Sequence, residues 1–193
     1  MDILTHADLA ARIASARPRL ANTRLVLLDG PAGSGKTTLA AGLADELPDS
    51  VVVHMDDLYR GWETDFAEVH NRVRGQLVEP LAAGQPARYQ RYDWDAGAFG
   101  DWVDVPVPGV LILEGVGSGA RALDDVSSLL LWIEVSADMR VRRGVERDGE
   151  AVLPQWLAWM RHEAAEHARQ ATRERADIVL RGDGPDGQPI RWM

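Results

Sequence analysis

The chain contains no cysteine, and Lys36 is the single lysine among its 21 basic residues. Without cysteine, neither a disulfide framework nor a cysteine-based zinc site can form. The sequence also lacks an apolar run of the roughly 20 residues that span a bilayer, and residues 1–18 carry acidic side chains instead of the apolar stretch of a signal peptide. We therefore expect a soluble, cytoplasmic protein without a membrane partner.

An excess of positive charge is absent as well. The formal net charge is −9 and the isoelectric point is about 5.0, which disfavours the basic face that a nucleic-acid partner requires. A length of 193 residues and a hydrophobic fraction of 46% are typical of one globular α/β domain. We expect a single domain over residues 1–193; a homo-oligomer is compatible with the sequence, which does not determine the oligomeric state.

Short runs rich in Val, Leu and Ile alternate with helical patterns, as is typical of a mostly parallel sheet covered on both faces. The predicted strands are 24–29, 51–55, 110–113, 129–135 and 176–180. Helices are predicted over 36–47 and 66–83. In the second helix an apolar residue recurs at every fourth position from Val69 to Leu81, which predicts a buried stripe. The pattern predicts a three-layer α/β/α sandwich around a five-stranded sheet.

The segment 85–108 interrupts this alternation. It is rich in aromatic, acidic, Gly and Pro residues and has no long apolar run. Irregular segments on α/β scaffolds often carry binding residues. We interpret it as a small insertion, with a short hairpin over the site as the favoured form.

The strongest motif runs from Gly30 to Thr37 and matches G-x-x-x-x-G-K-[ST] at every fixed position. A predicted strand precedes it and a predicted helix follows, so backbone N–H groups and the helix N-terminus can cradle phosphate oxygens. Lys36 would bridge the β- and γ-phosphates, and the Thr37 hydroxyl would bind Mg²⁺. The predicted phosphate-binding residues are Gly30, Ala32, Gly33, Ser34, Gly35, Lys36, Thr37 and Thr38.

A phosphate-binding loop alone does not decide between a kinase, a GTPase and a transport ATPase. The guanine-reading motif Asn-Lys-x-Asp needs a second lysine, which the chain lacks, and the transporter signature Leu-Ser-Gly-Gly-Gln is absent. Both alternatives are therefore disfavoured.

Four further segments resemble the uridine kinase family. In chain order they are His-Met-Asp-Asp-Leu-Tyr at 54–59, Tyr-Asp-Trp at 92–94, an arginine-rich segment at 138–148 and Arg-Ala-Asp-Ile-Val-Leu at 175–180. The similarity covers most of the chain from Arg24 to Leu180, although Leu58 replaces the family's usual Phe. It implies an ATP- and Mg²⁺-dependent kinase, a lid over about 138–152 and acceptor binding by the insertion.

The positions of two carboxylates agree with that resemblance. Asp56 follows a predicted strand beside the phosphate-binding loop, where it can act as a general base or bind the metal. Asp57 is the alternative base. Glu114 ends another predicted strand and can hold Mg²⁺ together with Thr37 and Asp56.

The lid arginines are the remaining catalytic candidates. Arg143 and Arg147 lie one helical turn apart, so both can stabilise the transferring phosphoryl group. Lys36, Asp56, Arg143 and Arg147 thus form the predicted catalytic set. On the late helix, Trp156, Met160, Glu163 and His167 recur at intervals of four, three and four residues, which we interpret as core packing with a charged edge.

The acceptor is the least determined part. Its predicted contacts, by stacking on a ring and by bonding to sugar hydroxyls, are Asp56, Tyr59, Tyr92, Asp93 and Trp94. The resemblance implies a nucleoside, yet the family's basic and His-containing pattern does not follow Trp94. A kinase of pantothenate, a sugar or a nucleoside monophosphate, and a regulatory ATP-binding module without turnover, stay open.

Overall fold

The computed structural model describes residues 5–182 and the backbone of residues 191–192. Its strands are β1 (Arg24–Asp29), β2 (Ser50–His54), β3 (Ala87–Asp93), β4 (Ala98–Val105), β5 (Val110–Glu114), β6 (Ser127–Glu134), β7 (Ile178–Arg181) and β8 (Arg191–Trp192). Its helices are α1 (His6–Ser15), α2 (Lys36–Glu46), α3 (Phe66–Val73), α4 (Glu79–Ala82), α5 (Ala137–Asp148), α6 (Leu153–Gln170) and α7 (Thr172–Arg175).

The main sheet has the order β2-β5-β1-β6-β7-β8. The first five strands are parallel neighbours, and the short β8 joins β7 in the antiparallel direction. The predicted five-stranded, mostly parallel sheet is confirmed. Strand β8 was not predicted, because two residues carry no readable periodicity.

Alternate residues of β1 enter two separate cores. Leu25 and Leu27 pack on one face with α3 and with Trp159 of α6. Val26 and Leu28 pack on the other face with α1 and α2. Because successive strand side chains point to opposite faces, the central strand is buried on both sides, as the three-layer prediction required.

The predicted helix over 66–83 is one continuous helical run in three parts. A π-helical segment, Arg74–Val78, separates α3 from α4, and a helix bulge of this kind keeps the axis while shifting the side-chain phase. Val69, Val73, Leu77 and Leu81 are all at most 1% exposed. The stripe is core, as predicted.

The segment interpreted as an insertion contains the antiparallel hairpin β3–β4, which forms a separate two-stranded sheet. The Tyr89 hydroxyl of this hairpin donates to the Asp57 carboxylate at 2.9 Å. Asp57 closes the 3-10 turn Met55–Asp57 that follows β2, so the hairpin is fastened beside the carboxyl edge of the main sheet.

Candidate active site

The carboxyl ends of three neighbouring strands surround one cavity of about 790 Å³. The glycine-rich loop follows β1, Asp56 follows β2 and Glu114 ends β5. Because neighbouring parallel strands end at the same edge of the sheet, residues far apart in the sequence meet there. Lys36, Asp56, Glu114, Arg143 and Arg147 all line this cavity.

One side of the cavity, here called the phosphate half, consists of Gly33, Gly35, Lys36, Thr37, Thr38 and Arg143. Helix α2 starts at Lys36 with Gly35 as its N-cap, and no side chain caps it. Its first N–H groups lack intrahelical partners, and no acidic residue occupies its first turn. The phosphate half therefore presents the donors and the helix-dipole charge that an anion requires.

The loop depends on glycine at its start. A Cβ atom on Gly30 would lie 2.0 Å from the backbone oxygen of Ile133, and φ is +146° there. Gly30 thus permits β1 to turn sharply against β6 before the loop opens. Its N–H donates to Asp29 at 2.7 Å, so Gly30 shapes the cradle, and it does not line the cavity. Ser34 is likewise buried beneath the loop.

Lys36 is 8% exposed and donates to the backbone oxygens of Gly30 and Pro31 at 2.8 and 3.0 Å. The Lys36 side chain therefore folds back along the phosphate-binding loop, where it is predicted to bind the phosphates of ATP. An arginine fork is longer and planar, and the compact ammonium fits between these two carbonyl groups.

The predicted metal ligands Thr37 and Glu114 are in contact. The Thr37 hydroxyl donates to Glu114 Oε1 at 3.0 Å, and His54 Nδ1 lies 2.5 Å from the same oxygen. This hydrogen bond with Glu114 raises the pKa of His54. A hydroxyl and a carboxylate at this spacing are the hard oxygen donors that Mg²⁺ prefers, so the residues present fit the ion.

Asp56 lines the cavity, whereas Asp57 does not. Burial raises the pKa of Asp56, and the nearby Lys36 charge partly opposes that rise. Asp57 is held by Tyr89. The geometry therefore favours Asp56 over Asp57 as the candidate base.

The other side of the cavity, here called the aromatic half, is walled by Tyr59, Trp62, Trp94, Trp156 and Trp159. Trp62 lies edge-on to both Trp94 and Trp159, with ring centroids 5.7 and 6.0 Å apart. Trp62 and Trp94 are 39% and 43% exposed. Such exposed rings at a cavity mouth offer stacking surfaces to a ligand.

Some of the predicted acceptor residues line the cavity and others do not. Tyr59 and Trp94 line the cavity, and Tyr92 and Asp93 do not. Tyr92 packs edge-on against Trp94 at 5.4 Å. Asp93 accepts the N–H groups of Asp95 and Ala96 in the hairpin turn. These two residues therefore support Trp94 and the turn, and they lie outside the cavity wall.

The segment 138–152, predicted to be a lid, lies in helix α5 and the 3-10 turn Glu150–Val152 that follows it. Arg143 donates to the backbone oxygens of Gly33 and Gly182 at 3.1 and 3.0 Å. Arg147 binds the Asp148 carboxylate through Nε at 2.8 Å. The first half of α5 is thus attached to the phosphate-binding loop, and its end faces the aromatic half.

Sequence reasoning missed a set of buried residues beneath the loop. Glu163 accepts the Ala32 N–H at 2.8 Å and pairs with Arg140 at 2.6 Å. Its side chain is 1% exposed. The sequence pattern predicts Glu163 to be the charged edge of a packing stripe, whereas in the structure Glu163 joins helix α6 to the loop and to helix α5. The helical spacing of this stripe alone gives no signal of these contacts.

Asp29 is the second missed residue. Its buried carboxylate accepts the N–H groups of Gly30, Gly117 and Gly119 at 2.7, 3.0 and 2.8 Å, and His167 Nε2 lies 3.0 Å away. Burial alone would raise the pKa of Asp29, but the bonds from His167 and the backbone lower it below its usual value. The sequence signal that could have identified Asp29 is the position of a carboxylate at the end of a strand of apolar residues.

Known proteins with similar sequences are uridine kinases. The uridine kinase of Halobacterium salinarum is 26% identical over 173 residues, which are 78% of this chain and 76% of that protein. The uridine kinase of Borrelia turicatae is 25% identical over 192 residues, which are 86% of this chain and 90% of that protein. No protein-family model matches the chain.

Two solved structures share the fold. A protein of Bacillus stearothermophilus, provisionally named a uridine kinase, has a TM-score of 0.67 at 20% identity and covers 90% of this chain and 96% of its own. A protein of Silicibacter sp. TM1040, provisionally named a fructose transport system kinase, has a TM-score of 0.63 at 26% identity and covers 91% and 98%.

Fold and comparisons together define the class: an α/β fold of the P-loop kinase type and a kinase-like phosphotransferase. The family that they support is uridine kinase-like. Within the described residues, no helix is both long and apolar enough to cross a bilayer.

Proposed function

We propose that the protein transfers the γ-phosphoryl group of ATP to a hydroxyl of a small molecule, with Mg²⁺ as the metal. The observation that carries this proposal is the meeting of Lys36, Asp56 and Arg143 in one cavity with the glycine-rich loop. Phosphoryl transfer needs positioned phosphates, a group that accepts the hydroxyl proton, and positive charge around the transferring group. Each of the three residues supplies one of these requirements.

In the proposed reaction the phosphate half binds the ATP phosphates, and Asp56 orients the acceptor hydroxyl and accepts its proton. Lys36 and Arg143 offset the charge that spreads over the phosphoryl oxygens. Thr37 and Glu114 would hold Mg²⁺, which when bound neutralises phosphate charge. The aromatic half receives the acceptor, and its rings exclude water that would otherwise hydrolyse ATP.

Two classes of acceptor are supported by names of similar proteins. The curated relatives named uridine kinase favour a nucleoside. The Silicibacter protein, whose name refers to fructose transport, favours a sugar. Cytoplasmic localisation, the single domain and a homo-oligomer stay predictions of the sequence.

The test is ADP release from Mg·ATP by the purified chain, with and without nucleosides, sugars, nucleoside monophosphates or pantothenate. A kinase releases ADP faster when its acceptor is present, and phosphate appears on that acceptor. A regulatory ATP-binding module would bind ATP and show no stimulation by any acceptor, and this outcome would contradict the proposal.

A further inference from the structure

The aromatic half differs chemically from a site that recognises the edge of a nucleobase. Uracil and cytosine present ring carbonyl groups, which need hydrogen-bond donors when they are buried. Among the cavity-lining residues of the described chain there is no Ser, Asn, Gln or His, and threonine occurs only in the phosphate half. The side chains that usually read such an edge are thus missing from this wall.

Three of the five rings in the wall already donate a hydrogen bond to the protein. The Tyr59 hydroxyl donates to the Val116 backbone oxygen at 2.6 Å. Trp94 Nε1 donates to the Asp56 backbone oxygen at 3.1 Å, and Trp156 Nε1 donates to Asp148 Oδ2 at 2.7 Å. These three side chains therefore offer ring surface to a ligand while their polar atoms hold the wall together.

The cations of the cavity are also directed elsewhere. Lys36 and Arg143 bind backbone oxygens of the phosphate-binding loop, and Arg147 binds the carboxylate of Asp148 through both Nε and Nη2. Asp56 and Asp148 line the cavity beside the rings. An ionised carboxylate only accepts hydrogen bonds, so Asp56 selects for a hydroxyl or amine donor and disfavours an anionic acceptor. Asp148 is already occupied by Arg147 and Trp156.

Resting on the proposed kinase function, we infer that the acceptor is a compact, uncharged polyol of the sugar class, and that Trp62 is a residue that determines this specificity. The C–H face of a sugar ring packs against an exposed tryptophan, while a hydroxyl group of the sugar donates to Asp56. Trp62 contacts both Trp94 and Trp159, which places it at the centre of the stacking wall.

The test measures ADP release from Mg·ATP with D-fructose, D-ribose and D-glucose, in comparison with uridine, cytidine, UMP and pantothenate. The expected result is a higher kcat/KM for at least one sugar than for any of the other four compounds. Higher kcat/KM for uridine or cytidine would overturn the inference and leave the kinase function standing. Failure of every sugar both to react and to change tryptophan fluorescence would also overturn it.

The variant Trp62→Ala tests whether the aromatic half binds the sugar. We expect the KM of the preferred sugar to rise at least about fivefold, as loss of one stacking ring implies, while the KM of ATP stays unchanged. Trp102→Ala is the matched control, because Trp102 is 46% exposed and lies outside this cavity. Equal sugar KM values for the two variants and the wild type would contradict the role of Trp62.

The kinase function and the sugar inference can fail separately. Binding of a sugar, seen as a fluorescence change that Trp62→Ala abolishes and Trp102→Ala retains, would support recognition of the sugar by Trp62 even if no phosphate is transferred. In that case the proposed kinase function would fail. Transfer to a nucleoside alone would produce the opposite pair of results.

Discussion

The two halves of the cavity are built by different means. The phosphate half comes mainly from one continuous segment, residues 33–38, in which helix α2 begins, and Arg143 is added from α5. The aromatic half combines rings from a loop before α3, from the β3–β4 turn and from helix α6. A binding site made by consecutive backbone groups can be predicted from a sequence motif. A wall made by side chains that are far apart in the sequence is formed only by folding.

The largest effect should come from breaking the phosphate half at Lys36. Lys36→Ala removes the ammonium, and we expect kcat/KM for phosphoryl transfer to fall by about a thousandfold, near the upper range for loss of one charge-stabilising donor. The fold should persist, because within the described residues the hydrogen bonds of Lys36 go to carbonyl groups of the loop. Steady-state kinetics and circular dichroism measure the two quantities. Unchanged kcat/KM would remove the phosphate-binding role of the loop.

Asp56 lies between the two halves, and its replacement should have the second largest effect. Asp56→Asn keeps the shape but cannot accept a proton, so kcat/KM should fall by about a hundredfold or more. Asp57→Asn is the matched control, since Asp57 is held by Tyr89 outside the cavity wall. Equal losses in both variants would show that the carboxylates act on the fold and not on the chemistry.

The pH dependence of Asp56 has a definite sign. Burial raises its pKa in the folded state, so the folded protein holds this proton more tightly than the unfolded chain does. The contribution of Asp56 to stability is therefore present at low pH and is lost as pH rises through the raised pKa. Asp56→Asn should have a higher Tm than the wild type at pH 8, and this excess should shrink as pH falls.

Activity should depend on pH in the opposite direction. The base must be deprotonated, so the kcat/KM of the wild type should fall as pH drops through the raised pKa of Asp56. Thermal melts and kinetics over the same pH series measure both trends. A melting temperature of Asp56→Asn that is lower than that of the wild type at pH 8 would contradict the assigned burial cost.

Glu163 and Arg140 test how firmly the phosphate half is fixed to the lid. Arg140→Ala leaves the buried Glu163 carboxylate without its cation, which should lower the free energy of unfolding by about 3 kcal/mol. Asp125→Asn is the control, because Asp125 pairs with Arg74 at the surface with a side chain that is 62% exposed. Its expected cost is below about 1 kcal/mol. If urea denaturation shows that both variants lose the same free energy of unfolding, the pair of Glu163 and Arg140 does not stabilise the contact between the loop and α5.

The contrast between the halves also explains what could be predicted from the sequence. The five parallel strands, the stripe ending at Leu81 and the loop at Lys36 follow from periodicity or from a local motif. The capping box that Thr5 and Asp8 form at the start of α1 is another local feature of this kind. The roles of Asp29 and Glu163 could not be predicted, because their partners, Gly119 and Ala32, lie 90 and 131 residues away in the sequence. No spacing rule connects such positions.

The aromatic half was predicted only where one short segment carried the signal. Trp94 and Tyr59 belong to segments that resemble a known family, and both line the cavity. Trp62 and Trp159 belong to no motif, and their approach to a centroid distance of 6.0 Å depends on how α6 packs beside the loop before α3. Tertiary packing decides such contacts, and the local secondary-structure propensity of the sequence does not predict them.

The smallest predicted effect concerns the junction of the halves at Gly144. A Cβ atom there would lie 2.5 Å from the Trp156 ring, so Gly144→Ala must displace that ring or shift α5. We expect the acceptor KM to rise about threefold and the ATP KM to stay constant, because an overpacking strain of about 1 kcal/mol or slightly less would fall on the aromatic half. Gly75→Ala is the control, since nothing lies within 4 Å of a Cβ atom at that position. A rise in the ATP KM instead would mean that α5 moves as a rigid body and carries Arg143 away from the loop, and the two halves would then be coupled through the lid.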